Sequence, residues 1–217
     1  PLGEVMPSEH RKLSMAVRRP MGVVTVISPW NFPALLTARG FAFPMAAGNA
    51  IVLKPSEETP YSGGLFFAEL FHEIGAPPGV LNVVTCGRER VVDVGDELIE
   101  NPMVKGISFT GSTPVGRMIA AKAGAHLKKV CVELGGKDAL IVCEDAPIDD
   151  AARIANFGAF MHQGQICMSV EKVLAQERIY DRFLAAFVER AAKLKVGDPS
   201  ADPSAIIGPL INDRQAE

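Results

Sequence analysis

Cys167 and Glu133 are the two residues of this chain best suited to covalent chemistry. The cysteine closes the run His162-Gln163-Gly164-Gln165-Ile166-Cys167, which surrounds a thiol with small and polar neighbours. The carboxylate opens Glu133-Leu134-Gly135-Gly136-Lys137, where two glycines let substrate or cofactor come close. A thiolate that attacks and a carboxylate that draws a proton are the minimum for acyl chemistry followed by hydrolysis. Each has a plainer reading. Most cysteines are core packing, and a strand-end carboxylate beside glycines is often part of a turn. Cys86, Cys131 and Cys143 lie in or beside apolar strand-like runs and are expected to be buried core thiols.

Three more segments carry chemistry. Pro29-Trp30-Asn31-Phe32-Pro33 holds Asn31 between two prolines, where its amide can donate to an anionic oxygen. The alternative is a structural proline turn with a capping Asn. Lys54-Pro55-Ser56-Glu57 offers a cation and an anion. In dinucleotide folds an acid after the second strand grips the adenosine ribose hydroxyls; the alternative is a solvated charge pair. Phe109-Thr110-Gly111-Ser112-Thr113 runs into Pro114, a residue suited to the first turn of a helix. Gly111 permits close approach and Ser112 sets a hydroxyl at a positive helix end, which makes either a pyrophosphate seat or a simple cap. No G-x-G-x-x-G occurs.

The elements that must position these residues alternate. Apolar, β-branched runs predict strands at 22–28, 50–53, 80–84, 105–109 and 129–134. Helical patterns fall between them at 34–47, 62–74, 88–99 and 114–123, with Gly75 as a C-cap. This rhythm implies a doubly wound, mostly parallel α/β sheet whose ligands sit at the carboxyl ends of the strands. Beyond Gly135-Gly136 the pattern changes. Strands are expected at 139–142 and 170–175, and helices at 148–161 and 180–194. The first of these helices opens with Asp149 and Asp150, which suit its positive end. A Pro, Asp and Ser-rich loop covers 197–209.

Composition excludes several classes. The 217 residues are 48% hydrophobic and 22% charged, as in an ordinary globular protein. Net charge is −3 and the pI about 5.9, which argues against a nucleic-acid partner. Apolar runs break well before membrane-spanning length. Cysteines and histidines show no metal-ligand spacing, so no metal site is expected. Free thiols fit a reducing cytoplasm. The start Pro1-Leu2-Gly3-Glu4 carries no secretory pattern and is expected to belong to a longer chain.

In this order the five segments closely resemble the aldehyde dehydrogenase superfamily, over nearly the whole chain. The run Phe160-Met161-His162-Gln163-Gly164-Gln165-Ile166-Cys167-Met168-Ser169 looks more like the members that oxidise aromatic aldehydes such as vanillin, benzaldehyde or salicylaldehyde. The resemblance implies a dinucleotide-binding domain over 21–135 and a truncated α/β catalytic domain over 136–217. The segment 1–20 resembles the arm that packs against another subunit, in a parent homodimer or homotetramer. It implies Cys167 as the nucleophile, Asn31 as the oxyanion donor and Glu133 as the base that activates water. It also implies NAD as cofactor, with NADP as a second acceptor. Lys54, Ser56 and Glu57 would lie at the adenosine ribose, Gly111 and Ser112 at the pyrophosphate, and Trp30 where the cofactor cleft meets the catalytic loop. Gly135 would let the base swing. The acyl-CoA-forming branch typically lacks the deacylating glutamate, so Glu133 argues against it. Family members are much longer, which leaves two expectations: part of a working enzyme, or an isolated nucleotide-binding or structural fragment without turnover.

Overall fold

The computed structural model describes residues 3–9 and 11–216; Pro1, Leu2 and His10 of the expected arm, and Glu217, lie outside them. The chain divides into two compact units, Pro1–Leu134 and Gly135–Glu217.

The first unit opens with a short antiparallel pair, β1 (Glu4–Met6) and β2 (Ser14–Ala16). The apolar runs that follow form one sheet: β3 (Val23–Ile27), β4 (Ala50–Lys54), β5 (Leu81–Val83), β6 (Val104–Thr110) and β7 (Lys129–Glu133). All pairings are parallel, in the order β5-β4-β3-β6-β7. The chain therefore steps outward from the central β3 through β4 to β5, then returns to the other side for β6 and β7. The order reverses between β3 and β6, the place where open α/β sheets bind ligands.

Helices α1 (Pro33–Ala46), α2 (Phe66–Glu73), α3 (Val91–Glu100) and α4 (Thr113–Ala125) make the crossovers. They bury β3 on both faces, which is why that strand reads as a β-branched, mostly apolar run, its one hydroxyl, Thr25, bonded to the Leu98 carbonyl at 3.1 Å. Val24, Val26, Phe41, Ile51, Leu53 and Phe67 form one core, with Phe41 and Phe67 edge to face at 5.2 Å. Ile99, Val104, Ile107, Phe109, Ile119 and Ala123 form the other. Each large aliphatic or aromatic side chain buried here contributes about 1.5–3 kcal/mol.

Buried polar residues lock the loops. Asn49 accepts from the N–H groups of Met21 (2.7 Å) and Gly22 (3.0 Å) and donates to the Pro44 carbonyl. The Thr37 hydroxyl is 2.6 Å from Ser28 Oγ and 2.9 Å from the Gly63 carbonyl. That last contact falls within a departure from the expected regular helix over 62–74. A π-helical turn at Tyr61–Leu65 precedes α2 and seats the buried Gly63 and Gly64 beside Pro55.

In the second unit, β8 (Ala139–Val142) and β9 (Lys172–Ala175) pair in parallel, covered by α5 (Ile148–Phe160) and α6 (Tyr180–Ala191). Val142, Ala152, Ala155, Ile179 and Phe183 form its core. Asn156 crosses between the helices, donating to the carbonyls of Ala152 and Phe187.

The expected burial of three cysteines is corrected. Cys131 and Cys143 are exposed and Cys86 is half-buried. Cys131 lies on β7 and Cys86 just past β5, the two edge strands of the sheet, while Cys143 follows the end of β8. An apolar run marks a strand but does not say whether the strand is central. Among the described residues no helix is long and apolar enough to cross a membrane.

Candidate active site

Four of the five motif segments leave the sheet at one edge. The carboxyl ends of β3, β4, β6 and β7 carry Trp30 and Asn31, then Lys54 to Glu57, then Gly111 and Ser112, then Glu133. Parallel pairing dictates this, because every strand points the same way.

Trp30 and Asn31 are half-buried in the loop joining β3 to α1. Pro33 stands at the start of α1, and the Leu36 N–H closes the first turn on the Phe32 carbonyl at 2.9 Å. Asn31 therefore sits one residue before the cap of a helix.

Lys54 is only 3% exposed. Its ammonium donates to the Pro55 carbonyl at 3.1 Å, which occupies one of three N–H donors. A buried charge with donors to spare calls for oxygen acceptors. Ribose hydroxyls supply them, so the residue fits the adenosine end of a dinucleotide. Ser56 is buried, and its hydroxyl accepts from the Glu58 N–H at 3.3 Å, shaping the turn that presents Glu57. The Glu57 carboxylate, 26% exposed, pairs with Arg88 at 4.0 Å. The solvated Lys54–Glu57 charge pair is thus not what forms.

Ser112 occupies the capping position of α4, yet its side chain makes no capping hydrogen bond and is exposed. No acidic side chain lies in the first turn of α4. The helix keeps its positive end and a hydroxyl available to an anion. Gly111 is required locally by its own neighbour, since a Cβ there would lie 2.5 Å from the Phe109 ring. The Gly111 N–H donates to the Glu133 carbonyl at 3.0 Å, so the pyrophosphate candidate and the candidate base share one ladder. The Glu133 side chain is exposed at the end of the edge strand β7. A Cβ on Gly135 would meet nothing within 4 Å, so packing gives no reason for glycine there.

Cys167, in the second unit, is exposed. The backbone ahead of it runs left-handed for three residues: His162 (φ 53°), Gln163 (φ 59°) and Gly164 (φ 73°). Two of these are not glycine, a strain of order 1–3 kcal/mol each that persists only where surroundings impose it. Here they do. The buried Ser169 hydroxyl donates to the Gly164 carbonyl at 3.0 Å. Gln165 Oε1 accepts from the Ile211 N–H at 3.1 Å. With its amide oriented by the network, Gln163 accepts from the Gly208 N–H. The loop over 197–209 and the residues just after it therefore brace the cysteine loop. Among the described residues no group of three His, Cys, Asp or Glu is placed to hold a metal.

The profile of the aldehyde dehydrogenase family matches residues 2–217. The chain belongs to the aldehyde dehydrogenase family. It is 49% identical over 216 residues to the benzaldehyde dehydrogenase YfmT of Bacillus subtilis strain 168, covering 99% of this chain and 44% of that protein. The crystal structure of a salicylaldehyde dehydrogenase from Pseudomonas putida G7, complexed with salicylaldehyde, superposes with a TM-score of 0.94 at 43% identity, over 99% of this chain and 45% of that one. An NAD-dependent benzaldehyde dehydrogenase from Corynebacterium glutamicum gives a TM-score of 0.89 at 44% identity, over 98% and 46%. This aldehyde dehydrogenase chain spans less than half the length of these relatives.

Sequence reasoning passed over Arg88, Ser169 and the bracing residues Gly208 and Ile211. Arg88 had a usable signal: it follows the third strand of the sheet as Glu57 follows the second, and consecutive parallel strands often lie side by side. The bracing of the cysteine loop had none.

Proposed function

We propose that this chain is the nucleotide-binding and nucleophile-bearing part of an NAD-dependent aldehyde dehydrogenase that oxidises an aromatic aldehyde to its acid. NADP is a second, weaker acceptor. On this reading 21–135 binds the dinucleotide, 136–217 begins the catalytic domain, 1–20 is a subunit-packing arm, and the parent is a cytoplasmic homodimer or homotetramer. The observation that carries it is the shared carboxyl edge: Asn31, Lys54, Glu57, Ser112 and Glu133 all leave one end of one parallel sheet. The aromatic substrate class rests on the names of the benzaldehyde and salicylaldehyde relatives.

The Cys167 thiolate attacks the aldehyde carbon and a C–S bond forms. The carbonyl oxygen becomes an oxyanion, which accepts from the Asn31 amide and the Cys167 N–H. Bound NAD supplies the acceptor for the hydride that leaves this carbon. The product on sulfur is a thioester. Glu133 takes a proton from water, which attacks the thioester carbon and releases the acid, returning the thiolate. Lys54 and Glu57 orient the adenosine ribose, while Ser112 and the α4 N-terminus hold the pyrophosphate.

The share of the relatives that the chain spans favours a second reading, a fragment that binds nucleotide without turnover. Absorbance of reduced nicotinamide, with benzaldehyde and NAD, separates the two. The full-length parent should turn over, Cys167→Ala should abolish it, and Cys86→Ala should leave it mostly intact. Near-normal activity in Cys167→Ala would overturn the mechanism. Nucleotide binding by the 217-residue chain without turnover would support the second reading for this chain.

A further inference from the structure

We infer that Gln165 is a positioning residue for the nucleophile, a clasp that fixes the turn on which Cys167 stands. This rests on the proposed role of Cys167 as the attacking thiol. Cys167 and Met168 are the two central residues of a β-turn, closed by the Ser169 N–H donating to the Ile166 carbonyl at 3.1 Å. Both ends of that turn hang from one acceptor. The Ile166 N–H donates to the Gly164 carbonyl at 2.9 Å, and the Ser169 hydroxyl donates to it at 3.0 Å. The direction of the Gly164 carbonyl therefore sets where the thiol and the Cys167 N–H point.

Gly164 ends the left-handed run, so its carbonyl is aimed by the residues ahead of it. N–H groups converge on the His162 carbonyl from the Gln165 backbone at 3.0 Å, the Gln165 side-chain amide at 3.3 Å and the Gln163 amide at 3.0 Å. A carbonyl offers two lone pairs, so this one is saturated from within the loop. The oxygen of each amide reaches outward. Gln165 Oε1 accepts from the Ile211 N–H at 3.1 Å, and the Gln163 oxygen accepts from the Gly208 N–H at 2.6 Å. The segment carrying Gly208 and Ile211 is itself tied to the chain just past α6. The Ile206 and Ile207 N–H groups bond the Lys195 carbonyl, and the Gly197 N–H donates to the Ile207 carbonyl at 3.0 Å.

Gln165 thus spans both anchors, donating inward to His162 and accepting outward from Ile211. Glutamate lacks the donor and asparagine lacks the reach. Packing does not account for the arrangement. Cys167 and Met168 are exposed, so the left-handed run ahead of them buries neither side chain. What the strained backbone secures is the direction of an exposed thiol and of the N–H beside it.

Two measurements on the full-length parent test this. The rapid burst of reduced nicotinamide with benzaldehyde and NAD reads attack and hydride transfer. Iodoacetamide labelling of the Cys167 peptide, followed by mass spectrometry, reads whether a reachable thiolate is present. Gln165→Met keeps the length of the stem and removes both hydrogen bonds. It should slow the burst about ten- to hundredfold, the cost of a displacement of about 1 Å at a reacting atom, and change labelling by less than about threefold. Ile211→Pro deletes the partner N–H and should slow the burst in the same way. The double variant should be no slower than the slower single one, because both act through one bond. Should Gln165→Met not fold, Gln165→Asn carries the same expectations. A merely structural glutamine would lower the melting temperature and leave the burst intact, and that result would overturn the inference. So would independent, multiplying effects in the double variant, or equal slowing of burst and labelling, which marks a lost thiolate and not a misaimed one. A burst retained in Cys167→Ala would remove the nucleophile reading itself. A silent Cys167→Ala beside an undiminished Gln165→Met burst would sink this inference alone.

Discussion

Replacing Lys54 with methionine should make the protein more stable and a poorer nucleotide binder at once. The ammonium is 3% exposed and has one carbonyl partner, at 3.1 Å. Burying a charge costs several kcal/mol even after relaxation. One hydrogen bond from a charged group returns only about 1.5–3 kcal/mol. Methionine keeps most of the aliphatic stem's packing and removes the charge. The balance favours Lys54→Met by about 1–3 kcal/mol, within the range seen when buried charges give way to apolar residues. For a chain of this size that is a rise in melting temperature of about 2–4 °C per kcal/mol. Losing a charge-assisted bond to the ribose should weaken NAD by about ten- to hundredfold. Thermal melts of the ligand-free chain and calorimetric titration with NAD read the two effects separately. A purely structural lysine would behave in the opposite way, with Lys54→Met destabilised and NAD affinity unmoved. That outcome would refute the argument.

Glu133→Gln in the full-length parent keeps size and hydrogen bonding but cannot take a proton. Rapid-mixing absorbance should show one burst of reduced cofactor followed by turnover slowed about 10²–10⁴-fold; fast steady-state turnover would remove Glu133 as the base. Gly164→Ala should destabilise the chain by about 1–2 kcal/mol in urea unfolding, because φ is +73° and the new Cβ would lie 3.2 Å from the Ala159 carbonyl oxygen. Asp202 has a carboxyl held below its ordinary value of 3.8, first by the Lys195 ammonium and then by Ser204. A depressed carboxylate stabilises the fold above its unfolded value and loses that contribution as pH falls through the folded one. Protection factors at Ile206 and Ile207, whose N–H groups bond the Lys195 carbonyl, should therefore fall selectively below about pH 4 once intrinsic exchange is corrected for. A protection pattern unchanged between pH 6 and pH 3 would count against this tether.

The sheet was legible because each strand announces itself locally. Val23–Ile27 is a β-branched run and Ala50–Lys54 is apolar up to its closing lysine, and such runs alternate with helical periods at the spacing of crossovers. The placement of Asn31, Glu57 and Ser112 at one carboxyl edge followed from topology alone, since each comes just after a strand. What was hidden depends on partners far along the chain. The widened turn at Tyr61–Leu65 contacts Thr37 and Pro55. The left-handed backbone at His162 and Gln163 is imposed by Ser169 and by residues past 207, and neither residue type advertises it. Cys131 misled because its neighbours Val130 and Val132 look like those of a central strand, while order in the sheet places β7 at an edge.

The central position of β3 has a consequence for how the chain is made. Its residues leave the ribosome first among the five strands, yet one whole side of β3 pairs with β6, as in Val24 opposite Gly106. Some eighty residues of synthesis separate the two, several seconds at about 5–20 residues per second. During that interval β3 and β4 can form only half a sheet, with an apolar, unpaired edge at Val23 to Ile27. Such an edge is a template for pairing with another nascent chain. Loop closure over that span also makes the β3–β6 contact a slow step. Chaperone dependence of this protein should therefore centre on the window between completion of β4 and emergence of Thr110, and slowing translation there should increase aggregation.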